Sequence, residues 1–158
     1  MFKRILVPVD GSPTSNKALA TALQMATDSD GPGRLRLIYV VEEIVYVSAY
    51  DAYGGATGDL IGIMRESGSR ILKDAMAIAV AGGIETDTML FDKLGERLGE
   101  SVANAAKLWN ADLIVVGTHG RRGLGRLFLG SGAEQIVRLA PGPVLVVRSP
   151  EVENEPAA

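Results

Sequence analysis

The sequence predicts a single α/β domain, a doubly wound parallel sheet of five strands with helices on both faces. Three observations lead there. Short apolar runs alternate with segments of helical periodicity, five of the first and four of the second. The first, fourth and fifth runs are nearly continuous in Val, Ile and Leu, as strands covered on both faces require. Special residues, Asp10 and Gly117, follow the first and fourth runs. In open sheets of this class, ligands bind beyond the carboxyl ends of strands where the strand order reverses. If the first and fourth strands are neighbours, Asp10 and Gly117 face one crevice.

Ile5 to Val9 reads as the first strand. Ser12-Pro13 then supplies a helix cap and a first-turn proline, with Leu19, Leu23 and Ala26 at helical spacing. The turn Asp30-Gly-Pro-Gly33 leads to a second strand, Leu35 to Val41. Residues 43–59 lack periodicity and read as a long loop carrying Tyr46, Tyr50 and Tyr53; such loops tend to be functional or mobile. A long helix follows, with Leu60, Met64, Ile71, Ala75 and Ile78 near one face, ended by Gly82-Gly83. Ile84 to Phe91 is the third strand, and Leu98, Val102, Ala105 and Trp109 mark the next helix, with Trp109 expected in the core. Asp112 to Val116 is the fourth strand. A helix begins at Ser131 with Ala133, Ile136, Val137 and Ala140 as its apolar face, and Pro143 to Arg148 is the fifth strand.

At 158 residues, with 47% hydrophobic and 22% charged residues, the chain has the size and composition of one globular domain. Its net charge of −3 argues against nucleic acid as the main partner. The lack of cysteine excludes disulfides, thiol catalysis and cysteine-based zinc sites. No apolar run reaches the ~20 residues that span a membrane, and the first apolar run is too short for a signal peptide. A cytoplasmic protein without membrane partners is expected. The domain is expected over residues 1–149, and the acidic stretch 150–158 is expected to be a disordered tail.

The most specific signal lies after the fourth strand. Gly117, Gly120, Gly130 and Ser131 form the pattern Gly-x2-Gly-x9-Gly-[Ser/Thr]. Residue frequencies give about 0.03 chance matches in a chain of this make-up, so glycine content alone does not account for it. Glycine lets backbone approach a ligand closely. A helix start supplies unpaired N–H groups and the positive end of the dipole, which suits phosphate. Arg121, Arg122, Arg126 and Arg138 add positive charge in and after the loop, consistent with a local anion site. No Gly-Lys pair exists, which rules out a Walker A loop, and no glycines obey Gly-x-Gly-x-x-Gly.

The chain resembles the universal stress protein family over roughly Met1 to Ser149. The resemblance rests on Ile5-Leu-Val-Pro-Val-Asp-Gly-Ser12, Ala111-Asp-Leu-Ile-Val-Val-Gly-Thr-His-Gly120, Leu129-Gly-Ser131 and Pro143-Val-Leu-Val-Val147. Members that bind ATP carry the glycine pattern, so the resemblance is to the ATP-binding branch. It implies a sheet in the order 3-2-1-4-5. It further implies that Asp10, with Pro8 and Val9 beside it, meets the adenosine end and that the Val40 backbone meets adenine. Gly117 and Gly120 would lie along ribose and phosphates. Gly130 and Ser131 would hold the phosphates, with Gly132 and Ala133 adding backbone N–H groups. A divalent cation, Mg2+ or Mn2+, would be held mainly by the phosphates, and no protein metal site is expected. Family members commonly dimerise through the last strand, which implies a homodimer built on Val144, Leu145, Val146 and Val147.

Each residue also has a plainer reading. Asp10 can fix the strand-to-helix turn, and the glycines can serve a tight turn alone. Arg121 and Arg122 are candidate phosphate contacts, but solvated arginines are common on loops. His119 is the only histidine and has no evident carboxylate partner to orient it, so no catalytic residue is assigned. The leading expectation is a nucleotide-dependent regulator or sensor in the stress response that binds ATP. The alternatives are a slow ATP hydrolase or self-phosphorylating protein, or the same pocket holding cyclic AMP.

Overall fold

The structure is a computed structural model that describes residues 2–28, 31, 33–42, 57–93, 95–118 and 129–148, with the side chains of 57–60 left aside. Its elements run β1 (Arg4–Pro8), α1 (Pro13–Thr27), β2 (Arg34–Val40), α2 (Thr57–Ala81), β3 (Glu85–Phe91), α3 (Leu98–Trp109), β4 (Leu113–Gly117), α4 (Ser131–Leu139) and β5 (Val144–Val147). The sheet order is β3-β2-β1-β4-β5, and every pairing is parallel. The five-stranded doubly wound sheet of the sequence reading is therefore present, in the order that the resemblance implied. The predicted loop over 43–59 gives way to helix at Thr57, and its three tyrosines lie outside the described residues.

Side chains alternate across a strand, so a strand buried on both faces feeds two cores. On one face Ile5, Val7, Leu35 and Leu37 pack with Leu19 and Ala22 of α1 and Leu72, Ala75 and Ala79 of α2. On the other, Leu6, Ile38, Ile114 and Val116 pack with Val102 and Ala105 of α3 and Ile136 of α4. Central β1 feeds both, and Ile5, Leu6 and Val7 are fully buried.

Local chemistry fixes the helix ends. Ser12 caps α1, its Oγ accepting the Ser15 N–H at 3.2 Å, with Pro13 in the first turn where no intrahelical N–H is needed. Gly83, at φ +74°, turns the chain after α2 so that the Ile84 N–H reaches the Ala79 carbonyl at 3.3 Å. Asn110, in the left-handed region at φ 53°, does the same for α3.

Trp109 departs from expectation. It lies at the rim of the second core, partly buried, with the Arg36 guanidinium 4.8 Å from its ring centroid. Arg36 in turn holds Asp87 of β3 through two bonds of 2.7 and 2.6 Å, and Arg34 pairs with Glu85 at 2.9 Å. On this face the start of the β2–β3 pair thus carries a charged ladder instead of apolar side chains.

Candidate functional site

The site is built where the strand order reverses, between the carboxyl ends of β1 and β4. After β1 the Val9 N–H still bonds the Ile38 carbonyl at 2.8 Å, which carries the extended chain up to Asp10. Gly11 then takes φ +78°, a conformation that favours glycine. Asp10 Oδ1 accepts the Ser12 N–H at 2.8 Å, and the Asp10 N–H donates to Ser15 Oγ at 3.1 Å. Asp10 therefore does fix the strand-to-helix turn, which any ligand role must accommodate. Ser12, Thr14 and Ser15 are buried polar residues, and Ser12 Oγ lies 3.3 Å from Thr14 Oγ1.

Gly117 ends β4 directly against this turn. A Cβ there would stand 2.8 Å from the Thr14 carbonyl carbon, 2.9 Å from its oxygen and 3.0 Å from the Ser15 nitrogen. Packing against α1 therefore requires glycine at 117 irrespective of any ligand. Asp10 and Gly117 accordingly share one wall, the first turn of α1. This is the juxtaposition that the strand assignment required.

The second half of the glycine pattern returns to the same place. The Thr118 N–H bonds the Val147 carbonyl at 2.9 Å, and the Thr118 carbonyl accepts the Gly130 N–H at 2.8 Å. α4 begins at Ser131 as the sequence predicts, and its capping residue, Gly130, has no side chain to cap with. Ser131 is exposed at the first helical position. The early N–H groups of a helix have no intrahelical acceptor. Those of Ser131, Gly132 and Ala133 form that group here, while the Glu134 N–H already bonds the Gly130 carbonyl at 2.9 Å.

Gly132 and Ala133 are also packing residues. A Cβ on Gly132 would come within 2.6 Å of Leu98 Cδ2, and Ala133 is buried in the second core. Reciprocally, Gly99 of α3 sits where a Cβ would meet Gln135 Cβ at 2.6 Å and its carbonyl carbon at 2.9 Å. The two helices thus cross tightly at their amino ends. Gly99 was not singled out from the sequence, because its only signal is a glycine one residue inside a helix.

Val40 closes β2 opposite Phe91, and the next N–H, that of Val41, bonds the Phe91 carbonyl at 2.8 Å. Pro8 ends β1 and is partly exposed, while Val9 is buried. His119, Gly120, Arg121, Arg122 and Arg126 lie outside the described residues. Among the described residues, no group of three or more His, Asp or Glu side chains is placed to hold a metal ion, and no helix is long and apolar enough to cross a membrane.

The structure so far defines a class: a doubly wound α/β domain whose switch point carries a polar turn, a glycine-lined strand end and a helix start whose capping residue is glycine. Comparison with known proteins narrows it. The model of the universal stress protein family matches residues 1–148. A universal stress protein of Methanocaldococcus jannaschii is 36% identical over 154 residues, spanning 97% of this chain and 86% of that protein. The crystal structure of a family member from Burkholderia pseudomallei is 34% identical with a TM-score of 0.74, covering 94% of this chain and 97% of that one. This chain belongs to the universal stress protein family.

Two more distant structures share the fold and were solved with nucleotides. One is a universal stress protein in complex with cAMP, at TM-score 0.62 and 22% identity, covering 93% of this chain and 97% of that one. The other, from Archaeoglobus fulgidus, is in complex with dAMP, at TM-score 0.66 and 18% identity, covering 93% and 98%.

Proposed function

We propose that this protein binds ATP at the switch point between β1 and β4 and acts as a nucleotide-dependent regulator or sensor in the stress response. The observation that carries the reading is the Gly130 to Thr118 hydrogen bond, which brings the start of α4, capped by a residue without a side chain, beside Gly117 at the end of β4. There the N–H groups of Ser131, Gly132 and Ala133, the Ser131 hydroxyl and the Gly130 backbone would receive the phosphates. Gly117 and Gly120 would line the ribose and phosphates, with Arg121 and Arg122 as further phosphate contacts. Pro8, Val9 and Asp10 would meet the nucleoside and the Val40 backbone the adenine. Mg2+ or Mn2+ would ride on the phosphates.

The cAMP and dAMP complexes of the two distant relatives support an adenine nucleotide as the ligand class. The cAMP complex also favours one second reading, in which the same pocket takes the cyclic nucleotide. A homodimer through Val144, Leu145, Val146 and Val147 belongs to the proposal. β5 is a sheet edge whose first three residues are only partly buried, and such edges invite pairing.

The test is to denature purified protein and identify released nucleotide by chromatography and mass spectrometry, then to titrate ATP and cAMP. Released or saturably bound ATP supports the proposal. Preference for cAMP moves it to the second reading, and failure of both to bind rejects it.

A further inference from the structure

Three residues before and inside α1 close a ring of hydrogen bonds. The Ser12 N–H donates to Asp10 Oδ1 at 2.8 Å, the Ser15 N–H donates to Ser12 Oγ at 3.2 Å, and the Asp10 N–H donates to Ser15 Oγ at 3.1 Å. Only the Ser12–Ser15 link is ordinary helix capping. The other two reach back across Gly11 to a residue that belongs to the strand end. Ser12 and Ser15 are 7% and 5% exposed, so water competes little for these bonds. The ring holds Asp10 at both its backbone nitrogen and its carboxylate.

We propose that Ser15 is a positioning residue for the nucleoside end of the site: by accepting the Asp10 N–H it sets the direction in which the Asp10 carboxylate is presented. This rests on the nucleotide-binding reading above. Ser15 acts through Asp10 and touches no ligand itself. Its backbone N–H would still cap through Ser12 Oγ if its hydroxyl were removed, so the α1 turn that Gly117 rests on stays in place. Loss of the hydroxyl should therefore loosen Asp10 while leaving the start of α4 intact.

The experiment titrates adenosine, ATP and inorganic tripolyphosphate into wild-type protein, Ser15→Ala, Asp10→Asn and the double variant. Ser15→Ala should weaken adenosine and ATP by a common factor of about three to ten, the range one lost hydrogen bond gives, and leave tripolyphosphate unchanged. In the Asp10→Asn background the same substitution should cost much less than in wild type, because the two act as one unit. Ser15→Cys, which keeps the volume but accepts hydrogen bonds weakly, should repeat the adenosine loss. The proposal is overturned if adenosine binding is unchanged, if tripolyphosphate falls equally, if Ser15→Cys restores affinity, or if the two losses simply add. Wild-type protein that binds none of the three ligands overturns the nucleotide reading and this inference together. Wild-type binding with an unaffected Ser15→Ala overturns this inference alone.

Discussion

The Gly130 N–H donates a 2.8 Å hydrogen bond to the carbonyl of Thr118. This bond returns the chain to the end of β4 and starts α4 beside it. The capping residue of the helix that begins there is Gly130, which has no side chain to cap with. The first N–H groups of a helix have no intrahelical acceptor, an arrangement that suits an anion.

Ser131→Asp separates helix stability from ligand binding. An acidic side chain at the first helical position complements the dipole, so stability should hold or rise by about 0.3–1 kcal/mol. The same charge repels phosphate, and ATP affinity should fall about tenfold or more while adenosine affinity is kept. Urea unfolding and calorimetric titration measure the two effects. Loss of stability with unchanged ATP affinity would remove Ser131 from the phosphate site.

Gly117→Ala tests the shared wall. The added methyl group would press on α1 backbone at 2.8–3.0 Å, which cannot swing aside like a side-chain tip. Overpacking of this kind costs about 1–3 kcal/mol. The urea midpoint should drop with its slope unchanged. An unshifted midpoint would mean that α1 does not rest on Gly117.

At the β5 edge, Leu145→Lys and Val146→Lys should convert a dimer to a monomer of half the mass by light scattering, with the circular dichroism of the fold retained. Edge lysines block strand pairing. A dimer that survives both substitutions places the interface elsewhere.

Glu96 gives a pH dependence. Its carboxylate accepts from Lys93 Nζ at 2.8 Å and from Ser101 Oγ at 3.1 Å, which tie the approach to α3 onto its first turn. The Lys93 bond foremost, then the Ser101 bond, holds its pKa below the ordinary 4.5. A lowered carboxylate pKa stabilises the fold above the ordinary value, and that contribution is lost as pH falls through the lowered one. The Glu96 bond likewise raises Lys93 above 10.5, so its contribution is complete below that value and lost as pH rises through the raised one. Glu96→Gln should be less stable than wild type at neutral pH, and the gap should close in acid. A gap constant from neutral pH to well below 4 would refute the link.

The sheet was legible because apolar strand runs alternate with helical periodicity, although one face of the β2–β3 pair is charged. The reversal between β1 and β4 was legible only through Asp10 and Gly117, whose residue types are odd for strand ends. What escaped depends on contacts between residues far apart in sequence. Helical spacing brings Trp109 to the core side, but only the fold shows Arg36 over its ring at the rim. The Arg36–Asp87 pair depends on the β2–β3 register. Gly99 and Gly132 are glycines because two helices cross at their amino ends, which no single-helix pattern reveals. The start of α4 at Ser131 was legible in the sequence; that Gly130 takes the capping position before it was not. Ser15 carries no signal in the sequence, because its bond to Asp10 depends on the turn through Gly11.

The central claim is that the crevice between β1 and β4 holds ATP with its phosphates at the start of α4. The most direct measurement is a calorimetric titration of ATP with Mg2+ into nucleotide-free wild-type protein and Ser131→Asp, side by side. The account predicts saturable binding of one ATP per chain in the wild type and clear weakening in the variant. Equal binding by both proteins, or none by the wild type, would contradict it.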